Sequence, residues 1–311
     1  MMSDDDLSVV LGAGPVGKAL TERLITDGRA VRVVTRSGTA NVADEVEVVA
    51  GDVADARAAE RACAGASVVY ACVGLDYAAW PEKWPPMMEG MLAGAESASA
   101  RFVFMDNCYM YGPVDVAMTE DLALTDYGKK PATRSKLTRM WQDAHAAGRV
   151  EAASVRASDF YGPGVSAAAL GDTSIGRMAK GKSAQVFGNP DLPHSFTYVP
   201  DIARALISVA NADDAFGQAW NVPNAPDRTM RDILTLVGAD LGQEPKIQAM
   251  PKWMLSAVGV FNPNARELKE MLYQWERPFH VDSAKFAERF WSDATPFEEG
   301  IAATVPTYPT S

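Results

Sequence analysis

The sequence predicts an α/β chain in which a doubly wound parallel sheet is joined to a smaller, helix-rich lobe. Three observations predict it. Short β-branched runs alternate with alanine-rich stretches through the first half, a glycine-rich turn follows the first run directly, and beyond Tyr161 the alternation gives way to proline- and glycine-rich connections.

The runs Leu7 to Leu11, Ala30 to Val34, Val46 to Ala50, Ser67 to Cys72 and Arg101 to Met105 are strand candidates, and the segments between them read as helices. Continuous apolar strands of this kind belong to a parallel sheet covered on both faces. A helix from about Thr133 to Ala147 precedes a further strand, Glu151 to Arg156. Past Tyr161, "YGPG", "FGNPDLPHSF" and "NVPNAPDRTM" punctuate the chain, and one helix, "VPDIARALISVANA", interrupts them with Asp201 as its expected cap. The expected division is residues 1–160 with 195–222 as the sheet domain, and residues 161–194 with 223–311 as a substrate lobe.

The turn "GAGPVG" joins the first strand to a helix. Gly12 permits the tight turn, Gly14 lets backbone approach a pyrophosphate, and Gly17 allows close packing of helix on strand. A helix begins near Val16, and its free N–H groups point at an anion, with Pro15 and Val16 beside the expected cofactor. In this strand-turn-helix context the spacing predicts a Rossmann-type dinucleotide site. The second strand ends in Thr35 and Arg36 where an NAD-binding chain presents Asp or Glu, so NADP(H) is the expected cofactor and NAD(H) remains possible. The alternative for Arg36 is a solvated loop arginine.

Composition bounds the rest. Of 311 residues 48% are hydrophobic and 22% charged, as in a globular protein with a sizeable core. A net charge of -11 argues against a nucleic-acid partner, which needs a basic face. Cys63, Cys72 and Cys108 lack metal-like spacing, so neither a disulfide framework nor a metal site is expected, and a reducing compartment fits. The start "MMSDDDLSVVLGAG" resembles neither a signal peptide nor an anchor, and no run reaches the roughly 18 apolar residues of a spanning helix. A cytoplasmic protein without membrane partners is expected.

Beyond "GAGPVG", the chain carries "GDVAD" at Gly51 to Asp55, "VVYACVG" at Val68 to Gly74, "VRASDFYGPG" at Val155 to Gly164 and "HSFTYVPDIARAL" at His194 to Leu206. With these it resembles the extended, epimerase/dehydratase-like branch of the short-chain dehydrogenase/reductase superfamily. The resemblance implies that Asp52 and Val53 border the adenine and that Ala71 to Gly74, with Cys72 and Val73 among them, line the adenosine ribose side. It also implies a homodimer built on the helix carrying Lys136. In that helix Leu137, Met140, Trp141 and Ala144 form one apolar stripe, enough to cover its own core face.

The departures matter for chemistry. The resemblance implies a Tyr-x-x-x-Lys pair, but "ATRSK" has Lys136 in the lysine position and Ala132 where the tyrosine belongs. The helping Ser or Thr falls on Asn107, and the acid/base pair of sugar dehydratases falls on Cys108 and Tyr109. Tyr109 is therefore the candidate acid/base, with Lys136 tuning it and Asn107 donating to the substrate oxygen. The alternative is that Tyr109 only lines the pocket. Tyr111 is expected to be structural, and Cys108 a small buried residue rather than a nucleophile.

For the substrate, the loop "GLDYAAWPEKWPPMMEGML" offers Trp80 and Trp84, suited to apolar or aromatic ligands, although its methionines read equally well as helix core. Asp159 stands where relatives often contact substrate, or caps a turn, and His194 is a second contact or a structural histidine. His194 and Ser195 replace the arginine of nucleotide-sugar relatives, which favours a small apolar carbonyl or alcohol. Three readings stay open: an NADP(H)-dependent oxidoreductase, an epimerase, isomerase or lyase holding NAD(P) tightly, and a non-catalytic NADP(H)-sensing regulator.

Overall fold

A computed structural model describes residues 7–250 and 267–309. The main sheet contains β1 (Leu7–Leu11), β2 (Ala30–Thr35), β3 (Glu47–Ala50), β4 (Ala66–Ala71), β5 (Arg101–Asp106), β6 (Ala152–Arg156) and β11 (Ala219–Asn221), in the order β11-β6-β5-β4-β1-β2-β3. Every neighbouring pair from β3 to β6 is parallel. The β1 strand pairs on one side with β2 from Leu7↔Ala30 to Leu11↔Val34, and on the other with β4 up to Leu11↔Ala71. The order reverses between β1 and β4, which makes their carboxyl ends the switch point of a Rossmann-like α/β sheet.

The central strands are largely apolar because both faces are covered. Val9, Val10, Leu11, Val33, Val69, Phe102, Val103, Phe104, Ala152 and Ala153 are all fully buried. The α-helices between β1 and β6 are α1 (Pro15–Thr26), α2 (Ala56–Cys63), α3 (Trp80–Ser97) and α4 (Lys130–Ala146). The α2 helix starts on Asp55, whose carboxylate accepts from the Ala58 N–H. Small residues let α3 lie close: a Cβ on Gly90 would stand 2.0 Å from the Val53 carbonyl oxygen, and one on Gly94 2.9 Å from Cys63 Sγ.

The expected loop after β4 is instead this helix. Pro81 lies at its start, where a missing N–H costs nothing, while Pro85 and Pro86 lie inside it. The buried positions Trp84, Met88, Met91, Leu92 and Ala95 follow helical spacing, and packing of that face overrides the prolines. Trp84 has no exposed surface and meets Phe104 of β5 edge-on at 6.1 Å, so it cannot touch a substrate as expected.

The chain divides into two compact units: residues 1–112, 123–156 and 202–220, and residues 113–122, 157–201 and 221–311. The second contains short parallel pairs, β7 (Asp159–Tyr161) with β10 (Phe196–Tyr198) and β8 (Ala184–Phe187) with β13 (Ile247–Met250), and the antiparallel pair β9 (Pro193–His194) with β12 (Arg228–Thr229). Its core gathers Tyr161, Phe196, Ile233, Leu234, Val237, Phe297 and Ile301. The helix read after Asp201 spans Val199–Ala210, so Asp201 lies within its first turn and does not cap it. Its carboxylate accepts instead from the Thr295 backbone N–H and hydroxyl. Among the described residues no helix is long and apolar enough to cross a membrane.

Truncating Trp84 to alanine leaves a large hole in the first core and should cost about 3–5 kcal/mol, measured by urea unfolding.

Candidate active site

The turn after β1 meets two steric demands. Gly12 has φ +102°, and a Cβ there would stand 2.8 Å from the Cys72 carbonyl oxygen at the end of β4. A Cβ on Gly17 would fall 2.1 Å from the Gly12 carbonyl oxygen, so that position admits only glycine. Gly14, the residue that opens α1, faces open space instead, and Pro15 follows it in the first helical turn. Free N–H groups at the start of α1, beside backbone with no side chain in the way, suit a pyrophosphate. The residues present therefore fit a dinucleotide cofactor.

At the end of β2, the Thr35 hydroxyl closes its own turn, donating to the Thr39 carbonyl at 3.1 Å and accepting from the Thr39 N–H at 3.2 Å. Arg36 is exposed and has no ion-pair partner among the described residues. Asp52 is exposed, its carboxylate accepting from the Ala54 N–H at 3.0 Å, while Val53 is buried. Cys72 borders the glycine turn through its backbone. Burial pushes its thiol up to about 12 and that of Cys63 to about 11, so neither is a thiolate at neutral pH.

The end of β5 carries the polar cluster. Asp106 is wholly buried and accepts from the Arg134 guanidinium at 3.1 Å and from the Asn107 N–H at 2.8 Å. Burial pushes its carboxyl upward, and the guanidinium groups of Arg134 and Arg156 pull it back. The Arg134 guanidinium carbon sits 4.4 Å from the Trp80 ring centre and 4.3 Å from that of Trp84. Trp80, only 4% exposed, donates its indole N–H to the Leu75 carbonyl and stacks on Tyr109 at 5.9 Å. It thus packs beside Tyr109 and presents little surface of its own to a substrate.

Asn107 uses its side-chain oxygen to accept from the Tyr109 N–H at 3.0 Å, which leaves its amide N–H donors directed elsewhere. The Tyr109 hydroxyl pairs with that of Tyr77 at 2.9 Å. Lys130, 1% exposed, holds its ammonium 5.9 Å from the Tyr77 ring centre. Tyr111 is buried and accepts a hydrogen bond from Arg156.

The family model that matches this chain, described as the NAD dependent epimerase/dehydratase family, covers residues 8–222. The chain belongs to that family. Membership places it among the enzymes of the extended short-chain dehydrogenase/reductase type. It is 25% identical over 231 residues to dTDP-glucose 4,6-dehydratase 1 of Escherichia coli K12, an alignment that takes in 68% of this chain and 58% of that protein. The chain thus spans less than two thirds of that relative's length. In fold it is similar to UDP-glucuronic acid 4-epimerase from Bacillus cereus in complex with NAD (15% identity, TM-score 0.76, 97% and 98% of the two chains). It is likewise similar to DesIV, a dTDP-glucose 4,6-dehydratase from Streptomyces venezuelae with NAD and TYD bound (16% identity, TM-score 0.78, 97% and 96%).

Against the pattern of this epimerase/dehydratase family, α4 holds Ala132 half-buried and Lys136 exposed, and among the described residues Lys136 makes no ion pair. The inward face of α4 is Lys130, Arg134, Leu137, Thr138, Trp141 and Ala144; Lys136, two residues beyond Arg134, points away from it. Lys136 is therefore not the cation that adjoins the phenols. Arg134, which interacts electrostatically with both Tyr109 and Tyr77, and Lys130 fill that place. Tyr77, Lys130 and Arg134 had no motif to single them out.

The other two expected contacts lie in the second unit. Asp159 and His194 are brought together, Oδ2 to Nε2 at 2.8 Å. His194 is 2% exposed and stacks face to face on Trp275 at 4.0 Å and on Phe279 at 4.6 Å. So packed, His194 is a structural histidine rather than an open substrate contact.

Replacing Arg134 with methionine would strand the Asp106 carboxylate and should cost about 3 kcal/mol or more of unfolding free energy. Adding Asp106→Asn to that variant should recover part of the loss, measured by urea denaturation of both.

Proposed function

We propose that the protein is an NADP(H)-dependent oxidoreductase of a small apolar or aromatic carbonyl or alcohol, with Tyr109 as its acid and base. The observation that carries this reading is the Tyr109 hydroxyl itself, at the carboxyl end of β5, paired with a second phenol and flanked by two cations. Reduction of a carbonyl generates an alkoxide that needs a proton and a hydrogen-bond donor. Tyr109 offers the proton, and the Asn107 amide, its oxygen already engaged, offers N–H donors to the same oxygen. Gly12, Gly14, Pro15, Val16 and Gly17 would hold the pyrophosphate, with Asp52, Val53, Cys72 and Val73 along the adenosine. The nicotinamide, when bound, supplies or accepts the hydride.

Arg36 supports the 2'-phosphate preference, since an exposed guanidinium without an ion pair can make bidentate, charge-assisted bonds. The half-buried rings of Tyr77 and Tyr109 support an apolar or aromatic substrate. Ser195 supports it too, because this buried hydroxyl donates to Asp227 at 2.6 Å where nucleotide-sugar relatives have a cation. A second reading, favoured by the family match, is an epimerase or dehydratase in which Tyr109 takes and returns the proton without net redox.

Incubation with NADPH and a panel of carbonyls tests the first reading through loss of cofactor absorbance; tight binding of both redox forms without turnover of any substrate would instead favour a sensor. Tyr109→Phe should lower kcat by about 100-fold, and unchanged turnover would remove Tyr109 from the chemistry. Arg36→Ala should weaken NADPH binding by about 10-fold or more with NADH affinity unaltered, measured by fluorescence titration.

A further inference from the structure

We infer that the interface of α4 with β5 and β6 is an internal water site, bound by the Asp106 carboxylate, the Arg134 guanidinium and the hydroxyls of Thr138 and Ser154. All four residues belong to the first compact unit, and none is more than 6% exposed. Each carries an atom without a hydrogen-bond partner among the described residues: Asp106 Oδ2, Arg134 Nε, Thr138 Oγ1 and Ser154 Oγ.

The backbone brings these groups to one layer. Phe104 pairs with Ser154 and Asp106 with Arg156 in the parallel register of β5 and β6, so Phe104, Asp106 and Ser154 point to the same side of the sheet. Phe104 shares its core cluster with Leu137 and Trp141, which makes that side the one α4 covers. On α4, Arg134, Thr138 and Trp141 are buried at helical spacing and share the inward face. Arg134 reaches Asp106 Oδ1 from there at 3.1 Å.

Donors and acceptors in this layer do not match one another. The indole N–H groups of Trp84 and Trp141 are also buried without an acceptor among the described residues, and the Trp84 ring centre lies 4.3 Å from the Arg134 guanidinium carbon. The N–H donors of Arg134, Trp84 and Trp141 thus face a single acceptor-only atom, Asp106 Oδ2, and two hydroxyls that can take either role. The ion pair needs more than this. One Nη1–Oδ1 bond leaves Oδ2 and Nε stripped of solvent, and a buried pair holds only when its remaining lone pairs and protons are satisfied. A cation at the site would meet the guanidinium and indole N–H groups, and an anion would meet the bare carboxylate oxygen. A small neutral molecule that both donates and accepts fits, and an internal water commonly makes about three hydrogen bonds. Such a water accepts from Arg134 Nε, donates to Asp106 Oδ2 and gives its remaining bond to a hydroxyl.

The test has a structural arm and an energetic one. A high-resolution crystal structure of the full chain should show density within about 2.7–3.2 Å of both Asp106 Oδ2 and Arg134 Nε. Thr138→Val and Ser154→Ala then separate a hydrated layer from a dry one by the sign of their effect. Where water binds the hydroxyls, deleting either one removes hydrogen bonds, and the urea midpoint should fall by about 0.3–0.5 M. Where the hydroxyls are buried dry, deleting one removes a desolvated polar group and the midpoint rises. Density at both atoms with lowered midpoints is the expected result; no density there, or midpoints that hold or rise, overturns the site.

Discussion

The carboxylate of Asp106 is the fixed point on which the candidate site depends. It has no exposure, and an uncompensated charge there would cost several kcal/mol, so a cation must reach it from a neighbouring element. Arg134 does so, and to do so α4 must turn the face bearing Lys130, Arg134, Leu137 and Trp141 inward. The guanidinium faces then need cover, which Trp80 and Trp84 provide, and Trp80 in turn stacks on Tyr109. The same carboxylate holds the Asn107 N–H at the start of the turn in which the Asn107 oxygen receives the Tyr109 N–H. One buried ion pair thus links helix orientation, aromatic packing and the placement of the phenol.

The parts of this arrangement that were legible in the sequence are those with local causes. A left-handed φ at Gly12 and a 2.1 Å approach at Gly17 can be met only by glycine, so the turn after β1 is written in residue types. Strands buried on both faces must be largely apolar, and β1, β5 and β6 are, with Asp106 of β5 and Arg156 of β6 as buried charges at their carboxyl ends. The α3 helix was harder, because Pro85 and Pro86 imitate a loop while the pattern Trp84, Met88, Met91, Leu92 and Ala95 declares a helix only once its partner surface is known. The inward face of α4 was harder still. Lys130 and Arg134 look like solvated charges, and what draws Arg134 in is a carboxylate on another element, to which no short-range pattern points.

The histidine of the second unit shows the same limit. Its place in "HSFTYVPDIARAL" marked His194 as a candidate, but a place in a motif carries no information about burial. Asp159 on β7 and the rings of Trp275 and Phe279 enclose it, and these come from separate stretches of chain. An imidazole between two aromatic faces with one nitrogen on a carboxylate satisfies its polar and apolar requirements together, which is what a core histidine needs.

The balance between cations at the candidate site follows from dielectric rather than from count. Lys136 is exposed, and water screens its ammonium: at 4 Å a unit pair is worth about 1 kcal/mol in bulk water against about 4 kcal/mol at the effective dielectric of a protein surface. Arg134 lies between two tryptophans and Lys130 is almost wholly buried, so their fields on the Tyr77 and Tyr109 hydroxyls are attenuated far less. A methyl group at Ala132 can neither give nor take a proton, and cations alone stabilise a charge without supplying one. A phenol beside buried cations does both. In the reading proposed above, Tyr109 after β5 supplies the proton that Ala132 on α4 cannot.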